Sequence, residues 1–118
     1  MKYDVIIIGA GPGGIFSAYE LIKCAPALKI AVFESGGMLS ERKCPIDGDK
    51  IKNCIHCKTC SIMSGFGGAG AFSDGKYNIT NDFGGTLHEH VGKKAAIELM
   101  EYVDRINLEH GGEGTKLY

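Results

Sequence analysis

The chain has 118 residues, 44% of them hydrophobic and 23% charged, which is the composition of a globular protein with room for one hydrophobic core. A formal net charge of −1 and the lack of a basic stripe argue against nucleic acid or an anionic membrane as a partner. The longest apolar run near the start, residues 5–8, is too short for a signal peptide or a membrane span, so we expect a cytoplasmic protein.

Residues 1–36 predict a βαβ unit. Residues 3–8 form an apolar, β-branched run typical of a strand buried on both faces, and residues 29–34 predict a second strand of the same kind. The intervening connection is long enough to make the two strands parallel. This connection carries apolar residues at helical spacing, and the predicted helix should end before Pro26. The residues expected to face the strands are Ile15, Ala18, Tyr19 and Ile22.

A glycine-rich turn joins the first strand to the helix. Gly9 allows the tight turn, Gly11 lets the backbone approach a pyrophosphate, and Gly14 permits the helix to pack closely on the strand. The N–H groups and the dipole of the helix start favour a diphosphate, and Glu34, 20 residues after Gly14, can accept hydrogen bonds from ribose hydroxyls. The predicted dinucleotide site, which does not choose between NAD and FAD, comprises Gly9, Gly11, Pro12, Gly13, Gly14 and Glu34.

Four of the five cysteines lie close together in the sequence. Cys54, Cys57 and Cys60 recur every three residues, and Cys44-Pro45 lies ten residues upstream of Cys54. This pattern is compatible with an iron–sulfur cluster in the reverse of the usual ferredoxin order, with a structural zinc site, with a redox-active cysteine pair, or with unligated thiols in a loop. The fifth cysteine, Cys24, stands at the end of the predicted helix, where we expect it to be buried.

Residues 64–78 form a second glycine-rich segment. Its small residues would let backbone amides press against a flat or charged ligand, although a surface loop is the alternative. Asp74 and Lys76 flank Gly75 and are candidates for catalysis, but we favour a solvated turn for them.

The C-terminal part predicts one helix within 87–112, ended by Gly111-Gly112. Its expected apolar face consists of Val91, Ala95, Leu99, Val103 and Ile106. The nearby histidines lack metal-like spacing, so we expect them at the surface.

Residues 3–14, with the acidic marker Glu34-Ser35-Gly36, resemble the start of many flavoproteins with two dinucleotide folds, in which this site holds the ADP half of FAD. Residues 57–78, together with 41–45, are similar to a family of FAD-dependent dehydrogenases found in bacteria and archaea. The resemblance implies an FAD-dependent oxidoreductase. It also implies that Ser35, at the acidic marker, belongs to the cofactor-binding site and that Arg42 contacts the diphosphate or adenine side. The segment expected to run toward the flavin, with backbone contacts to it, contains Gly67, Gly68, Ala69 and Gly70.

Members of that family are several times longer, so the resemblance implies that residues 1–118 are the N-terminal part of an FAD-binding domain, incomplete and inactive alone. We expect 1–36 to bind ADP, 37–86 to be a Cys- and Gly-rich segment near the flavin, and 87–112 to be a helix. The expected partner is a small-molecule substrate or an electron carrier. The alternatives are an NAD-binding dehydrogenase fragment, and a small Cys-rich metal-binding module with a vestigial nucleotide site.

Overall fold

The fold is described from a computed structural model, which covers residues 2–73, 77–82 and 84–112. The chain divides into two compact units, Met1–Ser73 and Asp74–Tyr118. The division falls inside the segment 37–86 that we expected to form one region, because the second glycine-rich stretch up to Ser73 packs with the βαβ elements.

The first unit contains the predicted strand, helix and parallel strand. Strand β1 spans Val5–Ile8, helix α1 spans Pro12–Cys24, and strand β2 spans Ile30–Phe33. The strands pair in parallel, from Val5 opposite Ile30 to Ile8 opposite Phe33. Each strand is shorter than predicted, and the two start together because the Lys29 N–H donates to the Asp4 carboxylate at 2.9 Å.

The prediction that these strands are buried on both faces was wrong. Strand β1 alternates half-buried residues with exposed ones, and Ile6 and Ile8 are 58% and 81% exposed. On β2, Val32 and Phe33 are exposed as well. Within the first unit, helix α1 packs against both strands and leaves these side chains uncovered.

Helix α1 packs through part of the expected stripe. Of the predicted residues, Ile15 and Ala18 are partly buried, whereas Tyr19 and Ile22 are exposed. Gly14 and Leu21, which were not predicted for this face, are partly buried as well, and the close approach of Gly14 to the Gly9 carbonyl is a contact that apolar periodicity does not record. Cys24, the last residue of α1, is exposed rather than buried.

The second unit holds two helices where one was predicted. Helix α2 spans Leu87–Val91 and helix α3 spans Lys93–Glu109, and they meet at Gly92, whose φ of +84° interrupts the helical path. The break also changes the inward face of α3, so that Ala96 is fully buried while Leu99 is 48% exposed. None of the helices in the described ranges has the length and hydrophobicity needed to cross a bilayer.

Candidate dinucleotide-binding site

The glycine-rich turn joins β1 to α1 in the geometry that its spacing predicts. Gly9 has a φ of +98°, and its N–H donates to the Phe33 carbonyl at 2.7 Å, which extends the sheet by one bond before the chain turns. A Cβ on Gly14 would collide with the Gly9 carbonyl oxygen and lie 3.3 Å from the Ile7 side chain. Glycine is therefore needed at both positions for the helix to start where it does.

Helix α1 begins with an open N-terminus. Gly11 is its N-cap residue and makes no side-chain capping bond, Pro12 occupies the first turn, and no acidic side chain follows in that turn. The first N–H groups of a helix have no partner within the helix itself and carry a partial positive charge. The turn therefore leaves main-chain donors for an anion such as a diphosphate.

Glu34 follows β2 and its carboxylate is bound to the turn. One carboxylate oxygen accepts the Ala10 N–H at 2.8 Å, and the other accepts the Gly36 N–H at 2.9 Å and the Ser35 hydroxyl at 3.4 Å. These hydrogen bonds hold the pKa of Glu34 below its ordinary value, and the bond from the Ala10 N–H has the largest effect. The carboxylate thus stays ionised and fixed in position. Its remaining lone pairs can accept hydrogen bonds from the hydroxyl groups of a ligand.

A cavity of about 360 Å³ opens beside this carboxylate. Its wall combines the acidic groups with apolar side chains and exposed backbone, and the lining residues are Ala10, Val32, Glu34, Gly36, Gly37, Met38, Glu41 and Phe66. Several of these, Met38 and Phe66 among them, were not predicted as site residues. The only sequence signal for them was their position next to the Glu34-Ser35-Gly36 marker and the second glycine-rich segment.

The second glycine-rich segment lies directly on the first turn. The Gly67 N–H donates to the Ala10 carbonyl at 2.8 Å. A Cβ on Gly68, whose φ is +60°, would come within 3.1 Å of the Gly11 Cα. Gly70 lies close to the Pro12 ring, and Ala69 begins a short 3-10 helix, Ala69–Phe72. The two glycine motifs, distant in sequence, thus form one surface.

Arg42 is placed behind this surface rather than on it. Its side chain is only 4% exposed, and its guanidinium donates to the carbonyls of Ser61 at 2.8 Å, Ile62 at 2.7 Å and Phe66 at 2.6 Å. It also lies over the Phe72 ring, 4.7 Å from the centroid. Arg42 therefore fastens residues 61–72 to the segment after β2, and its contact with the diphosphate or adenine side stays a prediction.

The four clustered cysteines line a separate cleft of about 230 Å³. Their thiols are exposed and none forms a disulfide. Within 2–73, 77–82 and 84–112, no three His, Cys, Asp or Glu side chains converge closely enough to hold a single metal ion. His56 lies between Cys54 and Cys57 and has a φ of +52°. Its backbone N–H donates to the Cys54 sulfur, with 3.4 Å between nitrogen and sulfur.

The predicted catalytic candidates Asp74 and Lys76 lie outside the described residues. His88 and His90 lie in α2, as exposed or partly exposed residues, and the His110 ring nitrogen lies 2.9 Å from the Ile106 carbonyl. The expected surface positions of the histidines agree with the structure.

The chain is 58% identical over 33 residues to the thiamine thiazole synthase of Yarrowia lipolytica (strain CLIB 122 / E 150). That stretch covers 28% of this chain and 10% of the relative, so the chain spans a small part of the protein it resembles. No family model matches the chain, and no solved structure matches it. The similarity is local, and the relative is an enzyme.

Proposed function

We propose that this chain binds the ADP half of FAD and belongs to an FAD-dependent oxidoreductase. The observation that carries the proposal is the position of the Glu34 carboxylate, which joins the glycine turn to the neighbouring cavity through its bond to the Ala10 N–H. Along its length, an ADP group needs a site for the diphosphate anion, then a hydrogen-bond acceptor for the ribose hydroxyls, then an apolar surface for adenine. In this proposal the turn, Glu34 and the cavity take these three parts, and they lie next to one another.

Each part of the site has a distinct task in the proposal. The open start of α1 attracts the diphosphate, since its first N–H groups have no partner within the helix and no side chain caps them. Glu34 accepts the ribose hydroxyls, and its lowered pKa keeps it a charged acceptor at neutral pH. Val32, Met38 and Phe66 offer the apolar contact that an adenine ring requires.

The two joined glycine motifs favour FAD over a shorter nucleotide. Gly67 and Gly68 continue the surface of the turn beyond Gly11, so a ligand longer than ADP would find further backbone along its path. When bound, FAD supplies the ring that accepts and donates electrons, and the residues described here hold and orient it. No residue is assigned to the catalytic step.

An NAD-binding dehydrogenase is the competing proposal, because NAD contains the same ADP half and the turn alone accepts either. The two are separated by titrating the purified chain with FAD, FMN and NADH while following flavin fluorescence and NADH fluorescence. We expect FAD to bind and ADP to displace it, whereas FMN, which lacks ADP, should not bind. Tighter binding of NADH than of FAD would overturn the flavin assignment, and failure of both to bind would overturn the nucleotide site.

A further inference from the structure

We propose that Cys44, Cys54, Cys57 and Cys60 bind an iron–sulfur cluster in the cleft that they share. This inference is independent of the flavin site, since none of the four cysteines lines the cavity beside Glu34. It assigns a role to the one sequence pattern that nucleotide binding leaves without a function.

The fold brings the four cysteines to one cleft although Cys44 lies ten residues before Cys54. The rest of the wall is mainly apolar and includes Pro45, Ile46, Ile55 and Ile62. Cysteines beside an apolar wall suit an iron–sulfur cluster, because apolar neighbours limit the access of water to the metal.

The backbone at His56 lies against one of the four sulfurs. His56 is the one non-glycine residue with a positive φ in the part of the chain that the structure describes. Its backbone N–H donates to the Cys54 sulfur at 3.4 Å. Hydrogen bonds to the ligand sulfurs are one of the means by which proteins tune iron–sulfur clusters.

The ligand spacing favours a cluster over a single zinc ion. In a cubane cluster each thiolate binds a different iron, so the ligands surround a larger volume than they do around one Zn²⁺, and a cleft of about 230 Å³ lies between the lining residues. The spacing of Cys54, Cys57 and Cys60, with a remote Cys-Pro, is also the ligand spacing of ferredoxin-type clusters read in reverse order.

The proposal is tested by anaerobic reconstitution of the full chain with ferrous iron and sulfide. After desalting, we expect about four iron atoms and four acid-labile sulfides per chain, with visible absorption that bleaches on reduction. Cys57→Ala should lose at least half of both. Cys24→Ala is the matched control and should retain both, because Cys24 is an exposed thiol on helix α1 outside the cleft.

A measurement on the unsubstituted chain covers the case in which Cys57→Ala does not fold. All five thiols of the apoprotein are exposed and should react with iodoacetamide. After reconstitution, mass spectrometry should find only Cys24 alkylated. Equal alkylation of all five cysteines, or tight zinc binding without uptake of iron and sulfide, would overturn the proposal. Since FAD titration reports on the other site, loss of flavin binding would leave this result unaffected.

Discussion

Replacing Arg42 by alanine should loosen the second glycine-rich segment. The substitution removes three hydrogen bonds from a charged guanidinium to the carbonyls of Ser61, Ile62 and Phe66, together with its contact to the Phe72 ring. Bonds of this kind contribute about 1.5–3 kcal/mol each, so the three would sum to roughly 4.5 kcal/mol at the low end. Water can reach carbonyls of partly exposed residues once the side chain is gone, and we therefore expect a net loss of about 3 kcal/mol.

Hydrogen exchange followed by mass spectrometry measures this loss where it occurs. The Gly67 N–H donates to the Ala10 carbonyl and the Gly68 N–H to the Gly65 carbonyl, so a loss of about 3 kcal/mol should speed the exchange of both amides roughly a hundredfold. Arg105→Ala is the matched control, because Arg105 is an exposed residue of helix α3 whose guanidinium lies over the Tyr102 ring, outside residues 61–73. It should leave exchange in residues 61–73 unchanged. If Arg42→Ala weakened FAD binding while exchange stayed at the wild-type rate, Arg42 would contact the ligand directly and our structural assignment would be refuted.

Two further predictions concern the turn. Gly14→Ala forces a Cβ into the Gly9 carbonyl, so we expect a loss of about 1–3 kcal/mol in urea denaturation together with weaker FAD binding. Gly13→Ala, where nothing lies within 4 Å of a new Cβ, should change both much less, and equal effects would refute the packing argument. Because the pKa of Glu34 is lowered from 4.5 in the folded chain, its contribution to stability is present above that pH and is lost as the pH falls through the lowered value. As the pH is lowered across this range, the urea midpoint of unfolding should decrease more steeply for wild type than for Glu34→Gln. Parallel plots of midpoint against pH would contradict the hydrogen bonds assigned to Glu34.

The local architecture of the turn followed from the sequence because its determinants are local. Gly9 needs a left-handed backbone, Gly14 needs close contact with the strand, and Glu34 ends the paired strand, and each requirement shows in residue type and spacing. The order of strand, helix and parallel strand was predicted for the same reason.

What sequence reasoning missed depends on contacts between distant segments. The bond from the Gly67 N–H to the Ala10 carbonyl joins residues 57 positions apart, and no periodicity records it. The bonds from the Arg42 guanidinium to the partly buried carbonyls of Ser61 and Ile62 also had no signal in the sequence, and the ligand contact expected of Arg42 stays a prediction. Burial of the strands was overestimated because an apolar run shows only that a surface can be covered, not which element covers it.

The central claim is that Glu34 accepts the ribose hydroxyls of an ADP group, and one comparison tests it most directly. Dissociation constants of ADP and of 2′,3′-dideoxy-ADP are measured by calorimetry for wild type and for Glu34→Gln, with Glu98→Gln, an exposed glutamate of helix α3, as control. The ratio of the two constants within each variant cancels any general effect of the substitution on the turn. We predict that wild type and Glu98→Gln prefer ADP by about tenfold or more, and that Glu34→Gln loses most of this preference. The same ratio in all three proteins would show that Glu34 does not hold the ribose, and it would contradict the account.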